Sequence, residues 1–334
     1  MATIKDVAKR ANVAISTVSR VLNNSGYTSE ETRQKVLKTV KELNFRSNMI
    51  ASAMINKKTS TFGLIIPDIK NIFYGDLTRA VEDMANKYGY NVILCNTDND
   101  LDKEAEYVSF LVRKGVDAII FSTPEVRDRN IKELIEGYPD LPVILLGSTV
   151  KGVELDEVLV DNFQGGHTAT THLLKKGHRR IAHITGQTSS YATIERKKGF
   201  EEALKEFEVS INEDWIITDE FKIESGYKNG LKLLQEENRP TAVFAGNDAI
   251  ATGVYRAARE LGLSIPEDLS VVGFDDSEYA QILYPLLTTI RTPIGDMGAR
   301  AVEFGIQTIE GKKQFKETLV FRPTLIERDS TAIV

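Results

Sequence analysis

The sequence predicts an α/β protein: a three-helix head, then two doubly wound lobes built on parallel sheets. Three observations predict it. Up to about residue 60 apolar residues recur at helical spacing, whereas from Thr61 short apolar runs alternate with amphipathic segments. This β-α-β scheme runs to Asp161 and then starts again. Charge divides where the period changes. Residues 1–60 hold 11 Lys/Arg against 4 Asp/Glu, a net of +7, so the other 274 residues carry −13 of the total −6. A basic head on an acidic body is expected when one end alone meets phosphates.

In the head, Ile4, Val7, Ala8 and Ala11 mark a first helix, with the Thr3 hydroxyl placed to cap it. After a break at Asn12-Val13-Ala14, Val18, Val21 and Leu22 mark a second. Two short helices joined so tightly form a helix-turn-helix, whose second helix fits a DNA major groove. That helix turns outward Ile15, Ser16, Thr17, Ser19 and Arg20, small hydroxyls and one long cation suited to base edges and phosphates. Read alone, the stretch leaves open a hairpin that merely packs on its neighbours. A third helix is expected from about Ser29 to Leu43, with an acidic, capped start and a buried stripe of Val36, Leu37, Val40 and Leu43. Residues 48–56 allow two helical turns, too few for an isolated helix, and read as a linker.

The first lobe's strands are expected at Phe62–Ile66, Val92–Leu94, Ala118–Phe121 and Val143–Leu146, with helices near 75–88, 102–114 and 128–137. After Val158–Asp161 come Ile181–Ile184, Trp215–Ile217, Ala242–Ala245 and Leu269–Val272, with helices near 163–176, 194–207, 225–236 and 249–261. A strand near 287–290, a helix near 294–309 and strands near 317–321 and 324–327 close the chain. Two such lobes face each other across a cleft, and ligands of parallel sheets bind beyond the strands' carboxyl ends. Those ends carry Asp68 to Tyr74, Asn96-Thr97-Asp98, Ser122-Thr123 and Gly147-Ser148-Thr149 in the first lobe. In the second they carry Gly186 to Arg196, Asp219-Glu220-Phe221, Gly246-Asn247-Asp248 and Gly273 to Asp276. Rings, amides, carboxylates and an arginine suit a sugar-like polyhydroxylated ligand. The residues alone also allow duller roles: Asp248 and Asp276 as helix caps, Arg196 on a helix surface, Phe73 and Phe221 in the core.

Other classes lack their signatures. Cys95 is the single cysteine, which rules out an internal disulfide and suits a reducing cytoplasm; its apolar run reads as buried structure. No 18-residue apolar stretch and no signal-peptide core are present, so a cytoplasmic protein without membrane contact is expected. His167, His172, His178 and His183 include no i,i+4 pair for a metal, and no nucleophile elbow, P-loop or dinucleotide motif occurs. No enzyme, cofactor or metal is expected.

The order V-A-x-x-A-x-V-x-x-x-T-V-S-R-V-L-N over Val7–Asn23 strongly resembles the LacI/GalR family of bacterial repressors. So do Asn71-Ile72-Phe73-Tyr74, Arg196-Lys197-Lys198-Gly199-Phe200, Asn247 to Gly253 and Val272 to Asp276, and the resemblance covers nearly the whole chain. It implies a periplasmic-binding-protein-like body of two lobes with crossing connections. The implied boundaries are 1–46 for the head, 47–60 for a hinge helix, 61–161 plus about 292–323 for one lobe, and 162–291 plus about 324–334 for the other. The implied DNA contacts are Thr3, Ile15, Ser16, Thr17, Ser19, Arg20, Asn23 and the minor-groove wedge Met54. The implied effector contacts are Phe73, Tyr74, Arg196, Phe221, Asn247 and Asp275.

Departures from the family pattern are Ala14 before the recognition helix, Ser47 and Ser52 in the hinge, Ile72, and Ser190, which disfavours a purine ligand. The resemblance thus implies a repressor of double-stranded, pseudo-palindromic operator DNA under small-molecule control. It implies a homodimer, since the tail ends at Val334 without the helical extension of the family's tetramers. A phosphorylated carrier protein as corepressor is the alternative; a sugar-binding receptor would lack the basic head.

Overall fold

The computed structural model describes residues 2–22, 26–45, 58–122 and 129–334, and divides into two compact units, 1–59 and 60–334. In the first unit α1 (Ile4–Ala11) begins with a reciprocal cap. The Asp6 N–H donates to Thr3 Oγ1 at 3.3 Å and the Thr3 N–H to Asp6 Oδ2 at 2.8 Å. Asn12, left-handed at φ 51°, turns the chain into α2 (Ile15–Leu22), and α3 (Glu30–Glu42) starts at Ser29, whose hydroxyl accepts from the Thr32 N–H. Val7, Ala8, Ala11, Val18, Val21 and Val36 form the core.

One expected core residue is displaced. Leu37 is 40 % exposed, and α3 buries Thr39 in its place. Successive helical residues lie 100° apart, so a face centred on Val36 and Thr39 turns Leu37 outward. The expected hinge falls mostly on residues 46–57, and with Asn23 and Met54 lies outside the described residues.

The second unit holds two six-stranded sheets. The first lobe's strands are β1 (Thr61–Ile66), β2 (Asn91–Asn96), β3 (Ala118–Ser122), β4 (Val143–Leu146) and β5 (Asp156–Val160). The second lobe's are β6 (Ile181–Thr185), β7 (Ile216–Thr218), β8 (Ala242–Ala245), β9 (Ser270–Asp275) and β10 (Thr288–Arg291), and the chain closes with β11 (Thr318–Phe321) and β12 (Thr324–Ile326). The sheet orders are β11-β5-β4-β3-β1-β2 and β12-β10-β9-β8-β6-β7, parallel throughout except that β12 runs antiparallel to β10. The helix Ile294–Ile309 packs Met297, Ala301, Val302 and Phe304 on the first lobe, and β11 joins that lobe's sheet. The chain therefore crosses between lobes after β5, after β10 and between β11 and β12.

Alternation within the strands explains two covered faces. Phe62, Leu64 and Ile66 point into one core while Ile65, Ile119 and Phe121 point into another. In the second lobe the same device sends Ala182, Ile184 and Val243 one way and Ile181, Ala242 and Phe244 the other. Small differences from the sequence pattern sit at edges. Trp215 belongs to a 3₁₀ turn ahead of β7, and a short helix, Glu278–Ile282, follows β9.

The helices Asn162–Lys175 and Tyr191–Glu206 touch closely, since a Cβ built on Gly199 would lie 2.1 Å from the Phe163 carbonyl oxygen. Gly199→Ala is expected to cost about 1–3 kcal/mol by forcing these backbones apart. Gly75→Ala, in open space on the helix Ile72–Lys87, should be neutral or stabilising by up to about 1 kcal/mol. Urea unfolding midpoints of the two variants decide it; equal midpoints would contradict the tight contact.

Candidate functional site

On the head, α2 exposes Ile15 (45 %), Ser16 and Arg20, with Thr17 and Ser19 half-buried, while Val18 and Val21 anchor the opposite face. Ala14 contributes its carbonyl to the start of α2, accepting from the Thr17 N–H at 2.9 Å, and Thr3 is exposed at the start of α1. Gly26 lies beside the Arg20 stem, a Cβ there falling 3.6 Å from Arg20 Cδ. Next to it Tyr27 is 91 % exposed. Sequence reading passed over this ring; its signal was an aromatic in an otherwise polar turn. The result is a polar face with the exposed Arg20 cation and two exposed large side chains, Ile15 and Tyr27, the mixture suited to base edges, phosphates and thymine methyls.

In the second unit one cleft between the lobes gathers all six expected ligand contacts: Phe73, Tyr74, Arg196, Phe221, Asn247 and Asp275. Phe73 and Tyr74 open the helix Ile72–Lys87, whose cap Asn71 accepts from the Phe73 N–H at 3.1 Å, and their rings meet edge to face at 5.2 Å. Phe221 follows β7 from the other lobe. Asn247 caps the helix Asp248–Glu260 by accepting from the Ile250 N–H at 2.9 Å, which leaves its amide N–H groups as donors.

Arg196 is buried, not on a helix surface. Its Nε donates to Asn162 Oδ1 at 2.8 Å and its Nη1 to the Gly246 carbonyl, and its plane lies 3.5 Å from the Phe274 ring centroid. Nη2 stands 3.6 Å from Asp275 Oδ1, and this oxygen accepts no hydrogen bond among the described residues. Asp275 has φ 110°, a region that L-residues seldom occupy and that clusters at functional sites. Burial raises its carboxyl from the ordinary value, the Arg196 guanidinium opposes that shift by favouring the ionised form, and Asp248 adds to it.

Two neighbours prove not to be helix caps. Asp248 is buried and accepts from Ser277 N–H at 2.7 Å, Ser277 Oγ at 2.9 Å and Thr289 Oγ1 at 2.6 Å; burial raises it to about 6. Asp276 pairs with Arg291 at 2.7 Å and with Arg328 at 2.6 Å. Capping goes to Asn247 because the Cα that turns into the helix is one residue earlier, and Asp276, at φ 58°, aims away from the helix that follows.

Sequence reading missed Asn162, Lys222, Val160 and Met297 on the cleft wall. Asn162 and Val160 lie at the carboxyl end of β5, where the same strand-end rule applied to the fifth strand would have found them. Met297 had no such signal, since it arrives on the returning helix. Away from the cleft, the histidines have structural partners. His178 bonds Thr241 and Ser270, each at 3.0 Å, while His183 stacks on Phe244 at 4.4 Å and burial depresses it to about 4. Cys95 is buried, which pushes its thiol up to about 11. No helix among the described residues is long and apolar enough to cross a membrane.

Comparison with known proteins adds two family matches and three relatives. A model of bacterial regulatory proteins of the lacI family matches residues 3–48, and one of a periplasmic binding protein-like domain matches residues 170–331. The HTH-type transcriptional regulator DegA of Bacillus subtilis is 40 % identical over 331 residues, 99 % of this chain and 98 % of DegA. A lac repressor dimer solved with operator and the anti-inducer ONPF superposes at TM-score 0.87 with 26 % identity, covering 99 % of both chains. A LacI family transcriptional regulator of Enterococcus faecium with bound ribose superposes at 0.74 with 33 % identity, covering 82 % of this chain and 99 % of that one.

Proposed function

The chain belongs to the lacI family of bacterial regulatory proteins, and we propose that it works as a dimeric repressor whose hold on a pseudo-palindromic operator is set by a small sugar-like effector in the interlobe cleft. It is a DNA-binding transcriptional regulator, not an enzyme. In this reading α2 of each head enters a major-groove half-site, with Ser16, Thr17, Ser19, Arg20 and Asn23 at base edges and phosphates and Thr3 on the backbone. Residues 47–60 act as the hinge, and Met54 wedges into the minor groove between half-sites. Ile282, Tyr284 and Leu286, exposed along one short segment, supply apolar surface for pairing of two copies.

The observation that carries the effector reading is the cleft's chemistry. Aromatic faces from both lobes stand around a buried arginine, a carboxylate with unspent acceptor capacity and the amide of Asn247. A sugar stacks its C–H face on rings and trades hydroxyl hydrogen bonds with the polar groups. Ribose in the Enterococcus faecium relative supports this assignment. Because the cleft draws on both lobes, a ligand that contacts both favours one closure over another. Its differential affinity for the two states is the coupling to DNA.

Fluorescence anisotropy with a dyad-symmetric duplex and a random one, at matched salt, tests the reading. Arg20→Ala should weaken operator binding by roughly 1–3 kcal/mol; unchanged affinity would remove Arg20 from the interface. Addition of a cognate sugar should change operator affinity in the parent, while Phe221→Ala should lose that response and keep its sugar-free DNA affinity. A full sugar response in Phe221→Ala would place the effector elsewhere.

A further inference from the structure

We propose that the cleft selects an uncharged polyhydroxylated ligand and rejects its phosphorylated counterpart, because both cations on its wall are already neutralised by protein carboxylates. This narrows the sugar reading given above and rests on it. Among the described residues, the ionisable Asp, Glu, Lys and Arg side chains on the wall are Asp68, Arg196, Glu220, Lys222 and Asp275, three carboxylates against two cations. Arg196 has Asp275 at 3.6 Å and gives further donors to Asn162 and to the Gly246 carbonyl. Lys222 is paired with Glu220 at 2.9 Å, and Asp68 of the opposite lobe also acts on its charge.

A phosphate monoester brings about −1.5 to −2 charges at neutral pH. Its burial needs cations that have no better partner, since an uncompensated charge in a desolvated cleft is costly. One feature favours an anion: the helix Tyr191–Glu206 starts at Ser190 without a side-chain cap, beside Ser189 and Gln187 on the wall. A helix terminus amounts to roughly half a positive charge, which does not reverse the excess of carboxylate. The hydroxyls of a neutral ligand suit both features without adding charge. Such groups accept from backbone N–H groups of the helix's first turn and donate to the carboxylates of the wall. Asp275 is among these, with an oxygen that accepts no hydrogen bond among the described residues.

Isothermal titration calorimetry of the full chain with matched pairs tests this: ribose and ribose 5-phosphate, glucose and glucose 6-phosphate, fructose and fructose 6-phosphate. The expected result is binding of at least one plain sugar, with its phosphate at least about 30-fold weaker. Glu220→Gln, at a half-exposed side chain, releases Lys222 and should shift the phosphate-to-plain affinity ratio about tenfold toward the phosphate. A phosphate that binds the parent as tightly as its plain sugar, or tighter, overturns the inference but leaves the sugar reading standing, as does a ratio unmoved by Glu220→Gln. Silence from both members of every pair overturns the sugar reading, and this inference with it.

Discussion

A buried guanidinium is the constraint around which the ligand-facing half of the second lobe is arranged. Arg196 has lost its water, and an arginine does not shed its charge, so its surroundings must replace that solvation. They do so with four groups from three places: Asn162 at the start of the helix Asn162–Lys175, the carbonyl after β8, and Phe274 and Asp275 at the end of β9. None of these partners is near Arg196 in sequence. Each is useful only at its own distance, so one side chain sets the register of a helix and two strand ends. Gly166 makes the approach feasible, because a Cβ there would stand 2.3 Å from the Arg196 carbonyl oxygen.

The same arrangement separates three aspartates that look alike in sequence. Asp248 spends its oxygens on Ser277 and Thr289, and Asp276 spends its own on Arg291 and Arg328. Asp275 receives only the longer contact from Arg196. Left-handed backbone at residues 275 and 276 turns these adjacent side chains to different surroundings. Asp276, paired with both Arg291 and Arg328, anchors the backbone beside the buried Asp275 on the cleft wall.

The cleft presents rings and hydrogen-bonding groups from both lobes, and the chain crosses between the lobes at three places. Crossings let the lobes change their angle while each keeps its own core. A ligand that touched both sides would favour one angle, which is the coupling that the proposed allosteric repression needs.

Local pattern was enough for much of this. Helical spacing and the Thr3 cap wrote the head, and apolar runs alternating with amphipathic segments wrote the repeated β-α-β lobes, because buried strands and one-sided helices leave periodic traces in any chain. The strand-end rule, joined to motif resemblance, also picked out the six side chains that the cleft brings together. Tertiary structure decided what depends on distant partners. Leu37 faces outward although it is apolar, Asp248 and Asp276 brace a loop although Asx residues there usually cap, and Asn162 and Met297 reach the cleft from a fifth strand end and a returning helix. Burial and hydrogen-bond pairing are properties of which surfaces meet, and residues more than a hundred positions apart carry no local mark of meeting.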